Sequence, residues 1–123
     1  MPKKRVFVVD DSPLMRFMVR QLFESETDYE IAGEAANGLD AIAKAVFSKP
    51  DLIVLDLTMP VMGGLDAAPF LRRVLPETRL ILFTIHRGRE VERLAQAAGI
   101  QAVVSKDQGV SELVSRAQAL LAA

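Results

Sequence analysis

The chain has no cysteine, so neither a disulfide framework nor a thiolate metal site is open to it. It also lacks an excess of either charge. Its 15 basic and 16 acidic residues leave a net charge of -1, which excludes the basic field that nucleic acid or an anionic membrane would require. Long apolar runs are missing too. Met1-Pro2-Lys3-Lys4-Arg5 is basic like the start of a signal peptide, but the apolar run after it stops after four residues at Asp10. That is too short for a signal-peptide core or a membrane span, and a soluble cytoplasmic protein is expected. With no linker, repeat or low-complexity stretch in 123 residues, one domain over residues 1–123 is expected.

What the chain does have is a regular alternation of short apolar runs and helical patterns. Val6-Phe7-Val8-Val9 ends in Asp10-Asp11, and Ser12-Pro13 then opens a helix, with Ser12 as cap and Pro13 at the first position, where no N–H is needed. Leu14, Met15, Met18, Val19 and Leu22 form its apolar stripe to about Glu24. A short strand over Tyr29–Gly33 precedes Asn37, a helix cap, and a second helix with Leu39, Ile42, Ala43 and Val46 on one face. Leu52 to Leu55 is a third strand that runs straight into Asp56. Met62-Gly63-Gly64 reads as a flexible turn before a helix with Ala67, Phe70, Leu71 and Val74 inward; Pro69 means that this helix either starts near Ala67 or loses a hydrogen bond inside it. Leu80 to Phe83 ends in Thr84, and a helix over Arg87–Ala98 follows, with Val91, Leu94, Ala95 and Ala98 inward and a stop at Gly99. A fifth strand, Ala102 to Ser105, ends in Lys106, and the last helix turns Val110, Leu113, Val114, Ala117 and Leu121 to the core.

Five β-then-α units predict an α/β fold: a doubly wound five-stranded parallel sheet with helices on both faces. Crossovers are right-handed, and a site opens where the winding reverses. For Asp10 and Asp11 to come within reach of Asp56, strands one and three must be neighbours, which gives the order 2-1-3-4-5. Three carboxylates, a hydroxyl and an ammonium then share one sheet edge.

Val8-Val9-Asp10-Asp11-Ser12, the block Asp56-Leu57-Thr58-Met59-Pro60-Val61-Met62-Gly63-Gly64, Thr84 and Lys106 together resemble the receiver (CheY-like) domain of two-component response regulators, over essentially the whole chain. The resemblance implies a flavodoxin-like sheet and a signalling domain, rather than an enzyme, that assists its own phosphorylation. It implies that Asp56 is the phospho-acceptor, that Asp10, Asp11, Asp56 and the Thr58 backbone carbonyl hold Mg²⁺, and that Thr84 and Lys106 contact the phosphoryl oxygens. Lys106 would pair with Asp56 beforehand. The donor would be a phosphohistidine of a sensor histidine kinase or phosphotransfer protein. A homodimer or downstream output domain would meet the fourth helix, fifth strand and fifth helix, with no direct contact to nucleic acid or membrane.

Charge leads the same way, since two carboxylates ~4 Å apart repel by ~4 kcal/mol at an effective dielectric of 20 and three are not held ionised by one lysine. Oxygen ligands without histidine or cysteine beside them favour Mg²⁺ over zinc. Each residue alone also fits a plainer role: Asp56 a turn former, Asp10 or Asp11 a helix cap, with Asp10 rather than Asp11 the one to act through water, Thr84 a strand-end hydroxyl, Lys106 a solvated lysine, His86 a solvent-facing loop residue. A small Mg²⁺-dependent aspartyl phosphatase and a phosphorylation-independent interaction module are the alternative functions. Asp107 stands where many receivers have proline, and Val103 where many have an aromatic ring.

Overall fold

Val6 and Val8 face one side of the first strand while Phe7 and Val9 face the other, all four essentially buried, as expected of a strand covered on both faces. The computed structural model describes residues 2–122, so Met1 of the basic N-terminal segment and Ala123 lie outside the described residues. The elements follow in order as β1 (Arg5–Val9), α1 (Pro13–Glu26), β2 (Glu30–Ala35), α2 (Gly38–Ser48), β3 (Leu52–Leu55), α3 (Gly64–Val74), β4 (Arg79–Thr84), α4 (Arg89–Ala97), β5 (Ala102–Ser105) and α5 (Val110–Leu121), with a 3₁₀ turn at Lys106–Gln108. All strand pairs are parallel and the order is β2-β1-β3-β4-β5, the expected one.

Two cores sandwich the sheet. On one face Val6, Val8, Leu52, Val54, Ile81 and Phe83 pack against Val19 and Phe23 of α1 and Leu113, Val114 and Ala117 of α5. On the other, Phe7, Val9, Ile53, Leu55, Leu80 and Leu82 meet Ala41 and Ala45 of α2, Ala67, Ala68 and Leu71 of α3 and Ala95 of α4. Ser12 caps α1 by accepting from Met15 N at 3.1 Å, and Asn37 caps α2 by accepting from Asp40 N at 2.8 Å, both as expected.

The helical faces differ from the expected stripes. In α1 the buried line is Val19 and Phe23, with Met15 and Leu22 beside it, while Leu14 and Met18 are exposed. In α2 it is Gly38, Ala41 and Ala45, with Leu39 and Ala43 outside; in α3 it is Gly64, Ala67, Ala68 and Leu71, with Phe70 and Val74 exposed. For α2 and α3 the reason is close packing: a Cβ on Gly38 would lie 2.8 Å from the Ala67 Cβ, so the smallest residues, not the largest, occupy the α2–α3 contact. Helix α3 begins at Gly64, so Pro69 lies inside it and leaves the Leu65 carbonyl without its helical donor. Helix α4 begins two residues later than expected, at Arg89, because Gly88 has φ 118°. Strand β2 runs on past Gly33 to Ala35.

Candidate functional site at the carboxyl edge of the sheet

The end of β1 and the end of β3 are stitched together by main chain: Asp56 N donates to the Val9 carbonyl at 2.9 Å, while Asp10 N turns the other way, to Ala35 of β2, at 3.1 Å. This divergence at β1 is the switch point of the doubly wound sheet, and it places Asp10 and Asp56 side by side. Carboxylate oxygens of Asp10, Asp11 and Asp56 all lie within 4.8 Å of one another. Asp10 and Asp56 are buried, at 4% and 9% exposure, whereas Asp11 is exposed.

Each buried carboxylate has partners. Asp10 accepts from Ser12 N through Oδ1 and from Lys106 Nζ through Oδ2, both at 2.9 Å. Asp56 Oδ1 accepts from Leu57 N at 2.9 Å and lies 3.4 Å from Lys106 Nζ. Lys106 thus meets Asp56 as expected, but its shorter contact is with Asp10. Burial pushes the Asp56 carboxyl above the ordinary aspartate range and the neighbouring Asp10 charge pushes it further, with Lys106 and the Leu57 N–H pulling back.

Thr84 is fully buried at the end of β4, where its hydroxyl accepts from His86 N at 3.1 Å. Thr58 is exposed in the β3–α3 loop, and its Oγ1 stands 3.4 Å from His86 Nε2. His86 is therefore exposed, yet it also links the two loops that flank the site. Lys106 begins the 3₁₀ turn and Asp107 lies within it; a reciprocal cap closes it, with Ser105 Oγ accepting from Asp107 N at 3.2 Å and Gln108 Oε1 from Ser105 N at 3.1 Å. No described peptide bond is cis, the one beside Asp107 included.

The loop after Asp56 is tighter than its two glycines suggest. Neither Gly63 nor Gly64 uses a positive φ; the left-handed residue is Val61, with φ 68°. Met62 N donates back to the Pro60 carbonyl at 2.7 Å, which makes a γ-turn about Val61. Gly63 and Gly64 are needed for close approach instead, since a Cβ on either would run into the carbonyl oxygen of Leu57 or Asp56.

Two residues of the site have no counterpart among those expected from sequence. Arg16 Nη1 donates to the Asp10 carbonyl at 2.6 Å and Arg16 Nε to Glu34 Oε1 at 2.8 Å; Glu34 Oε2 also accepts from Arg20 at 2.9 Å. The available signal was a pair of arginines four apart on α1, directly after the acidic pair.

A parallel sheet with buried carboxylates and a lysine gathered at its switch point defines an α/β domain built for anion chemistry on a carboxylate. The family model of the response regulator receiver domain matches residues 6–118. The chemotaxis protein CheY of Thermotoga maritima is 40% identical over 79 residues, 64% of this chain and 65% of that protein. The Bacillus subtilis transcriptional regulatory protein YxjL is 35% identical over 117 residues, 95% of this chain and 54% of that one. Among solved structures, a LuxR-family two-component response regulator from Aurantimonas sp. SI85-9A1 superposes with a TM-score of 0.93 at 34% identity, covering 98% of this chain and 86% of that one. The chain belongs to the response regulator receiver family. It spans about two thirds or half of the length of these curated relatives. No helix among the described residues is long and apolar enough to cross a membrane.

Proposed function

We propose that Asp56 is the phospho-acceptor of this receiver, with a bound Mg²⁺ held by Asp10, Asp11, Asp56 and the Thr58 carbonyl. The observation that carries the reading is the three-carboxylate cluster within 4.8 Å, with a single ammonium laid against its two buried members. Three ionised carboxylates and one lysine leave an excess of two negative charges, and an all-oxygen donor set of this spacing fits a hard divalent ion. Bound there, Mg²⁺ would supply the charge that neutralises the cluster and the incoming phosphoryl oxygens.

The residues' own roles follow from where they sit. An Asp56 carboxylate oxygen attacks phosphorus, an O–P bond forms as the P–N bond of a donor phosphohistidine breaks, and the electron pair leaves on the imidazole nitrogen. Desolvation of Asp56 strengthens its interaction with Lys106, which moves from the carboxylates toward a phosphoryl oxygen as negative charge builds there. The Thr84 hydroxyl, at the end of β4, turns to a second phosphoryl oxygen. Kinase or phosphotransfer protein would be the donor, residues 1–123 one receiver unit in the cytoplasm, and α4, β5 and α5 the surface toward a second copy or an output domain.

Intact-mass analysis after incubation with acetyl phosphate tests the reading. Wild type should gain one acid-stable, base-labile phosphoryl group, only with Mg²⁺ present, and Asp56→Asn none. Equal labelling of the two proteins would sink the assignment of Asp56.

A further inference from the structure

Asp11 is the least secured member of the acidic cluster. Asp10 and Asp56 are buried and share Lys106, whereas the Asp11 carboxylate is exposed and faces two other negative charges, which drive it outward. Its position depends on the backbone that carries it. Asp10 N makes the last rung of the β1–β2 ladder, to Ala35, so the Asp10 carbonyl falls beyond the end of β2 and needs a partner from elsewhere.

That partner is Arg16 Nη1, at 2.6 Å. The Asp10 carbonyl and the Asp11 N–H belong to one rigid peptide plane, so fixing the carbonyl fixes the plane from which the Asp11 side chain departs. Arg16 is held in turn by Glu34 of β2, whose two carboxylate oxygens take Arg16 and Arg20 at 2.8 and 2.9 Å. On the other side, Ser12 N is tied to the Asp10 carboxylate and Ser12 Oγ to Met15 N. The Asp10-Asp11-Ser12 segment is therefore gripped at both ends by groups from α1 and β2.

We infer that Arg16, oriented by Glu34, is a positioning residue that holds Asp11 in the cation site through the Asp10–Asp11 peptide. The inference rests on the reading of Asp10 and Asp11 as metal ligands. Arg16 touches no ligand atom itself, and its positive charge alone would weaken divalent-cation binding. Geometry and charge thus make opposite demands. Loss of Arg16 relieves repulsion toward the cation, which tightens binding if charge is all that matters; it releases Asp11, which weakens binding if position matters.

The test is a MgCl₂ titration of the whole chain followed by amide chemical shifts and calorimetry, for wild type, Arg16→Met and Arg16→Lys. Arg16→Met should bind Mg²⁺ about 10-fold more weakly, the scale on which groups behind metal ligands act. Arg16→Lys should show a similar loss, since an ammonium keeps the charge but cannot span the Asp10 carbonyl and Glu34 as the guanidinium fork does. The Asp11 and Ser12 amide resonances should move in the metal-free variants while those of β3 and β4 stay. Equal or tighter binding by Arg16→Met, or unchanged binding by Arg16→Lys, would overturn the inference; where Arg16→Met fails to fold, the Lys variant decides alone. A wild type that does not bind Mg²⁺ at all would bring down the metal site itself, a different failure from one confined to the variants.

Discussion

Lys106 and Asp10, 96 residues apart in sequence, meet at 2.9 Å, closer than the 3.4 Å from Lys106 to Asp56. The lysine therefore bridges two buried carboxylates instead of serving Asp56 alone. Removing it leaves both without a cation, and losing one partner of a buried ion pair is costly because the other charge remains desolvated. Lys106→Met should destabilise the metal-free protein by roughly 1–3 kcal/mol at neutral pH, a cost that Mg²⁺ recovers in large part. Urea unfolding with and without MgCl₂ checks this; an unchanged midpoint in the absence of metal would refute it.

Asp56 works against the fold at neutral pH. Its folded carboxyl titrates above the ordinary aspartate range, first through burial and then through the Asp10 charge. In the window between its unfolded and folded pKa the native state holds more protons, so stability falls as pH rises through that window. Asp56→Asn removes the ionisation and should raise the melting temperature of the metal-free protein at pH 7. The gain should shrink as pH falls through that window and be gone below the ordinary aspartate value, where the carboxyl is neutral in both states, and Mg²⁺ should reverse it. Melting curves from pH 3 to 8 give the measurement, and a gain that grew toward low pH would contradict the sign argued here.

Most of the frame was legible because strand ends announce themselves: an apolar run that stops at Asp10, Asp56, Thr84 or Lys106 marks both a buried strand and the edge where it emerges. Two kinds of feature were not. Helix faces were misplaced where Gly38, Ala41, Ala45 and Ala67 form the contact, because apolar periodicity weights large side chains and close packing of α2 on α3 selects small ones. The grip of Arg16 on the Asp10 carbonyl was hidden because it satisfies a backbone group at a ladder's end, and Glu34 lay beyond the strand as bounded from sequence. Backbone needs of that kind carry no residue signature.

The γ-turn after Pro60 stores strain at a residue poorly suited to it. Val61 is β-branched, solvent-exposed and held at φ 68°, a region that costs non-glycine residues about 1–3 kcal/mol. The turn persists because Gly38 N donates to the Met62 carbonyl at 2.7 Å and Gly64 N to the Leu57 carbonyl at 3.0 Å, closing the loop from both sides. Val61→Asn should stabilise the protein by about 1 kcal/mol, since asparagine tolerates this conformation and no packing is lost. Chemical denaturation measures it, and a destabilised variant would show that Val61 makes a contact worth more than its strain.

Under the proposed function, a change at Asp56 would leave the site past Val103. This half-buried side chain borders a cleft of about 420 Å³ that also meets His86, Arg87, Glu92 and Gln108. Phosphorylation would turn Thr84, whose hydroxyl here accepts from His86 N, and so would free the 85–88 loop to move over that space. A ring could swing into the cleft, but a β-branched valine has one stiff torsion and too few atoms to fill it. The response should therefore be carried by the loop and α4, with a coupling at the low end of the ~1–3 kcal/mol typical of allostery. Amide shifts on adding beryllofluoride and Mg²⁺ should centre on residues 85–95 and remain small along β5. Val103→Tyr supplies the missing ring and should spread the shifts into β5 and strengthen any self-association seen by sedimentation. Large wild-type shifts at Val103 itself would show that the missing ring is not needed, and no difference between the two proteins would show that the output does not pass through this cleft.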